Sequence, residues 1–172
     1  MSSARIIAAI TVALLTSSPA QRPQRPIKPF NGEDLSGWEG DTSRWSVADG
    51  VITGTGVAAN GGAPTRDELL VYRAGLVDDF ELTFKARLIG DGGGGVLYRN
   101  QISAAPESEI SGYRLAIEPQ PGRIGMLDQP GGRGMLALRG TTVRLRPGGQ
   151  RQVLGTVDAT AAIAPTQWNE YS

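Results

Sequence analysis

Cysteine and histidine are both missing from this 172-residue chain. Their absence excludes disulfides, thiolate metal sites, catalytic cysteines and Ser-His triads among the residues present. Lysine is scarce, at Lys28 and Lys85 only, beside fifteen arginines. An excess of either charge is missing too, because seventeen basic residues cancel seventeen acidic ones. So balanced a chain points to no nucleic-acid or membrane-surface partner. Long apolar runs are lacking. The run Ile6 to Leu15 is about ten residues, too short to span a bilayer. Outside it, no segment carries twelve residues of helical periodicity.

What the chain has in quantity is glycine, 24 of 172 residues against a usual share of ~7%. These glycines sit between apolar-alternating runs, so they are expected as turns of an ordered chain. The length suits one domain plus an export segment, and a chain of this size buries roughly 70% of its unfolded surface. Residues 1–20 read as a signal peptide. Arg5 gives the positive start, Ile6 to Leu15 the apolar run, and Ser18-Pro19-Ala20 the small residues before cleavage at Ala20. An uncleaved N-terminal anchor is the alternative. Residues 21–29 carry three prolines and no periodicity, as a linker would. The domain proper is then 30–172.

Period-two alternation dominates that domain. Phe80, Leu82, Phe84, Ala86 and Leu88 point one way and Glu81, Thr83, Lys85 and Arg87 the other. This predicts a strand with one buried and one wet face. Val96 to Arg99 follows the glycine-rich stretch Gly90 to Gly95 as the next strand. Tyr113, Leu115 and Ile117 alternate with Arg114, Ala116 and Glu118 in another. Trp45–Val47 and Val51–Thr53 flank Ala48-Asp49-Gly50, a hairpin signal. Arg123–Leu127 and Thr141–Leu145 are predicted as short strands, and Val153–Ile163 as strand or helix. Many short strands with glycine-rich turns predict an all-β sandwich or jelly roll.

Several segments then resemble one family in order and spacing. Phe30-Asn31-Gly32-Glu33-Asp34-Leu35-Ser36-Gly37-Trp38 is similar to the opening of the 3-keto-disaccharide hydrolase domain, also described as a 3-keto-glucoside lyase and 3-keto-2-hydroxy-glucal hydratase. Trp45–Val47 with Asp49–Ile52, Asp79–Ala86, Gly95–Arg99, Gly112–Glu118, Gly131–Gly134 and Trp168–Tyr171 continue the resemblance. It implies a concanavalin-like jelly roll of two antiparallel sheets, sugar chemistry in a concave face, and export to the periplasm or beyond. Two departures stand out. An acidic residue of the family falls at Ala116, with Glu118 on the same face as its substitute. The Trp168–Tyr171 segment leads, in the family, into further strands with an Asn-Gly turn and polar cleft groups. This chain reaches Ser172, so the resemblance implies an incomplete domain, missing its last strands.

The implied reaction has a clear physical basis. A ketone at the sugar's 3-position acidifies the adjacent C–H, a base takes that proton, and the glycosidic oxygen leaves by elimination. Water then adds to the glycal. Such a site needs one tuned base and one electrophile for the enolate oxygen. Glu118 is the candidate base, the competing reading being a solvated strand carboxylate. Arg99, beside Asn100 and Gln101, is the candidate electrophile, or else a surface ion pair. Tyr98 and Tyr113 offer faces for a pyranose, or core packing. Gln101, and Asp128 and Arg133 in the glycine-rich loop, complete the candidate sugar contacts. Trp38, Trp45 and Trp168 read as core or rim, and Asp78-Asp79 as a solvated turn. The glycines at 92–95 are no phosphate cradle, because neither a following helix nor a Lys-Ser/Thr pair accompanies them. Without His or Cys, a metal held here would take oxygen ligands. A divalent ion as the enolate's electrophile would depend on the strands expected after Ser172.

The expected function is therefore an exported hydrolase/lyase of 3-keto-glycosides. The alternatives are a non-catalytic, lectin-like carbohydrate-binding module on the same sandwich, and an inactive fragment.

Overall fold

The computed structural model describes residues 4–13, 26–56, 68–102, 110–120, 122–158 and 163–172. The regular structure of the described residues is almost all strand, with a short 3-10 turn at Pro147–Gly149. None of their helices is long and apolar enough to cross a membrane. The strands are β1 Ala4–Ala13, β2 Trp38–Gly40, β3 Trp45–Ala48, β4 Val51–Gly56, β5 Leu70–Tyr72, β6 Glu81–Ile89, β7 Gly94–Ile102, β8 Ile110–Ile117, β9 Leu127–Gln129, β10 Gly134–Ala137, β11 Thr141–Leu145, β12 Arg151–Thr156 and β13 Asn169–Tyr171. Every pairing is antiparallel.

Two sheets make the sandwich. The first runs β13-β6-β1-β4-β3 and the second β10-β9-β8-β7; β11-β12 and β2-β5 are separate two-stranded ribbons. The predicted strand at Phe80–Leu88 is β6, whose Phe84, Ala86 and Leu88 are buried. They pack with Tyr171 of β13 and with Ile117, Leu115 and Val96 of the second sheet. One face of each sheet thus meets the other, as aligned sandwiches require. The architecture is all-β and jelly-roll-like, as the alternation predicts.

Local chemistry explains the hairpins. Asp49 and Gly50 adopt φ of 52° and 71° between β3 and β4. Two left-handed residues make the turn whose twist matches paired strands, and Asp-Gly favours it. Gly54 of β4 lies under Trp45, whose ring a Cβ at 54 would meet at 2.5 Å. Trp38 donates its Nε1–H to the Pro29 carbonyl at 2.7 Å and packs on Tyr72 at 5.1 Å. Trp168 is partly exposed beneath the Arg87 guanidinium, 5.0 Å away. The three tryptophans are therefore core and rim.

The structure also corrects some bounds. Arg123 to Met126 is a turn, with β9 beginning only at Leu127. Gly125 has φ 74°, and the Met126 N–H donates back to the Arg123 carbonyl at 3.1 Å. A left-handed glycine there closes the β8–β9 hairpin instead of extending a strand. Val153 falls in β12, while residues 159–162 lie outside the described set. Residues 14–25, with the expected cleavage after Ala20, lie outside it too. The apolar stretch before them is β1, the middle strand of the first sheet.

Candidate active site

Parity along β8 sorts its side chains. Leu115 and Ile117 face the first sheet in the shared core. Arg114, Ala116 and, one step past the strand, Glu118 take the opposite, outer face of the second sheet. Asp128 of β9 is directly across from Arg114. On the other flank, Gly95 of β7 is across from Ala116, and Leu97 from Arg114.

This outer face holds a network of charge. Arg114 donates from Nε to Asp128 Oδ1 at 3.0 Å and from Nη2 to Oδ2 at 2.6 Å. Both residues are buried, at 9% and 6% exposure. Hydrogen bonding to Asp128 is the main reason the Arg114 pKa stands above the ordinary guanidinium value, against the opposing pull of burial. Arg114 Nη2 also approaches Glu118 Oε1 at 3.7 Å. The two side chains stand on either side of Ala116, whose methyl leaves room for them to meet. From the hairpin turn, Arg123 Nε lies 2.9 Å from Glu118 Oε2. Glu118 is thus held by two guanidinium groups. Its side chain is 15% exposed, while that of Arg123 is 46% exposed and open to solvent.

Glycines make space for this arrangement. A Cβ at Gly95 would run into the Leu115 carbonyl oxygen and lie 3.0 Å from Arg114 Cγ. One at Gly93 would lie 3.2 Å from Glu118 Cγ. Gly93, just before β7, and Gly95, within it, therefore give room to the two side chains of the network. Beside it opens a cavity of about 640 Å³, lined by Arg114, Arg123, Asp128, Gln129 and Met135 among others. Sugar-sized ligands fit volumes of this order.

The sequence-predicted residues fall into separate groups. Glu118 and Asp128 come together through Arg114. Tyr98 and Tyr113 face each other across β7 and β8, stacked at 5.6 Å. Arg133 lies 6.0 Å from the Tyr113 ring and donates to its hydroxyl at 3.3 Å and to Gln129 Oε1 at 2.6 Å. Phe80 meets Tyr98 edge-on at 6.0 Å. Tyr98 and Tyr113 share parity with Val96 and Leu115, so they belong to the inner layer, and the Tyr113 ring is already engaged. Burial pushes the Tyr98 phenol above its usual pKa.

Arg99 is not brought to Glu118. It sits at a ladder irregularity between Tyr98 and Gln101, with φ 52°, and its guanidinium meets Asp79 at 3.0 Å and Asp78 at 4.0 Å. A bulge of this kind re-aims a side chain out of the alternation. Gly94, at the other end of β7, pairs with Ile117 next to Glu118. The intervening strand length is about 16 Å. The Gln101 backbone pairs with Ser111, and its side chain lies outside the described residues. Arg114 and Arg123, which touch Glu118, were not singled out by the sequence. The signal for Arg114 was its even parity with Glu118; Arg123 gave none, because it reaches the site only through the turn. Among the described residues no three carboxylates gather as a metal site would need.

Comparison with known proteins agrees with this architecture at the level of family. No curated protein and no solved structure matches the chain. The model of the 3-keto-alpha-glucoside-1,2-lyase-like domain matches residues 25–172, so the chain belongs to that carbohydrate-active family.

Proposed function

We propose that this protein is an exported enzyme that cleaves 3-keto-glycosides by elimination and hydration, with Glu118 as the base. The supporting observation is a shielded carboxylate held between two guanidinium groups, those of Arg114 and Arg123, which themselves line a sugar-sized cavity. Glu118 removes the proton from the carbon next to the ketone. Negative charge then develops on the ketone oxygen, and the exposed guanidinium of Arg123 is the nearest cation available to stabilise it. Arg123 takes the role for which Arg99, beside Asn100 and Gln101, was the sequence candidate. Asp128 holds Arg114 by its two-pronged contact, and Arg114 orients Glu118. The proton on Glu118 passes to the departing glycosidic oxygen, and water adds to the glycal in a second step. Export rests on Arg5, the apolar run after it and Ser18-Pro19-Ala20.

A second reading has its own support. Both acidic groups of the network are already engaged by arginine, as befits a lectin-like module that binds sugar without cutting it. One assay separates the two. The purified chain is mixed with a 3-keto-glucoside bearing a chromogenic aglycone, and release is followed alongside binding. Release that falls at least about 100-fold in Glu118→Gln, with binding retained, supports the enzyme. Binding without release supports the module, and equal release by Glu118→Gln removes Glu118 from the mechanism.

A further inference from the structure

The middle position of the first sheet carries an inference independent of the sugar chemistry. β1 pairs with β6 over nine residues, from Arg5↔Ile89 to Ala13↔Glu81. Its other edge pairs with β4 over five, from Ala4↔Gly56 to Ala8↔Ile52. Among the described strands, β4 and β6 are joined through β1. Taking β1 away would leave two unpaired edges about 9–10 Å apart, the width of one strand. The β6 edge belongs to the strand that carries Phe84, Ala86 and Leu88, the centre of the core. Open backbone groups at such a place demand a partner.

Among the described residues, β1 is not part of a local hairpin. Its neighbours begin at Val51 and Glu81, far along the chain, and no tight hairpin joins it to either. Its sequence, Ala4 to Ala13, has five β-branched residues, no proline and no glycine. That composition suits any central strand. The same residues carry the features of an export segment, which would draw them into the translocation path. Backbone ladders supply affinity in strand addition, so the lane selects for extended, proline-free, apolar peptide more than for one sequence.

We propose that the lane between β4 and β6 is a strand-acceptor site. Residues 4–13 fill it in this chain, and an extended apolar strand of eight to ten residues from a second polypeptide fills it once they are withdrawn. The withdrawal rests on the export reading; the lane itself does not. Two experiments on the full chain test it, and neither depends on export or on sugar cleavage.

In the first, Ile7→Pro/Ala9→Pro removes ladder bonds from β1, and the melting temperature is expected to fall on the order of 10 °C. Added synthetic peptide of residues 4–13, with a tri-lysine tail for solubility, should restore it as its concentration rises. A peptide bearing the same two prolines should not. Should the double variant be unfolded, recovery of its β-sheet signal by the unmodified peptide supports the site, and no recovery at any concentration overturns it. An unchanged melt in the double variant also overturns it.

The second uses the cysteine-free background. Ala9 and Lys85 are register partners, so Ala9→Cys/Lys85→Cys should close one disulfide on mild oxidation. Failure to close it would show that residues 4–13 lie elsewhere.

Discussion

Arg114 and Asp128 face each other across β8 and β9 with two parallel contacts, Nε to Oδ1 at 3.0 Å and Nη2 to Oδ2 at 2.6 Å. A buried guanidinium–carboxylate pair contributes less to stability than its short distances suggest, because both ions have left water. Breaking it from one side is a different matter. Arg114→Met leaves Asp128 buried without its counter-ion and should cost about 3–5 kcal/mol. Arg114→Met/Asp128→Leu should recover most of that loss. Denaturant unfolding of the two single variants and the double variant measures the coupling.

The roles of two arginines are expected to separate in turnover. Arg123→Ala removes the exposed cation beside Glu118 and should slow aglycone release by about 100-fold. Arg99→Ala breaks the contacts to Asp78 and Asp79 at an exposed loop and should leave the rate close to that of the parent. Equal losses in both would place the electrophile elsewhere.

Tyr171 offers a test by stability and pH together. Its ring stacks on Phe84 at 5.1 Å, it is 7% exposed, and its hydroxyl has no hydrogen-bond partner among the described residues. Tyr171→Phe keeps the stacking and removes an unsatisfied polar group. Stability should hold or rise by about 1 kcal/mol.

Burial raises the Tyr98 and Tyr171 phenols above the ordinary value of 10.0. In the unfolded chain these phenols ionise first as pH rises. The stability linked to them is complete below pH 10.0 and is lost as pH climbs through the higher folded values. Melts at increasing alkalinity should show this decline, with a shallower slope for Tyr171→Phe.

Gly95→Ala tests the space given to Arg114. The new methyl meets the Leu115 carbonyl and crowds the Arg114 side chain, so a loss of about 1–3 kcal/mol is expected, with slower turnover. Gly56→Ala is the control, since none of the described residues lies within 4 Å of a Cβ there. The same loss in both would make the effect one of strand glycine in general.

How far the sequence reaches depends on how local the cause is. The alternation at Phe80–Leu88 anticipated β6 because side chains on a strand alternate by geometry alone. Asp49-Gly50 anticipated its hairpin because left-handed backbone is a local preference. Parity placed Glu118 on the face opposite Leu115 and Ile117, and the structure keeps it there. The separation of Arg99 from Glu118, like the approach of Arg123 to it, is not written along the chain. Adjacency to Asn100 and Gln101 says nothing of a bulge, and a turn brings Arg123 to Glu118 from outside any strand pattern.

The sequence by itself determined that the chain is β-built, where its strands alternate, and the family to which it belongs. These follow from short-range sterics and from residue order, both written along the chain. Tertiary structure alone decided that Arg114 would bridge Asp128 and Glu118, that Gly93 and Gly95 would give them room, and that residues 4–13 would stand between β4 and β6. Each depends on which strands become neighbours, and that choice is set by burying the faces of two sheets together rather than by any one segment.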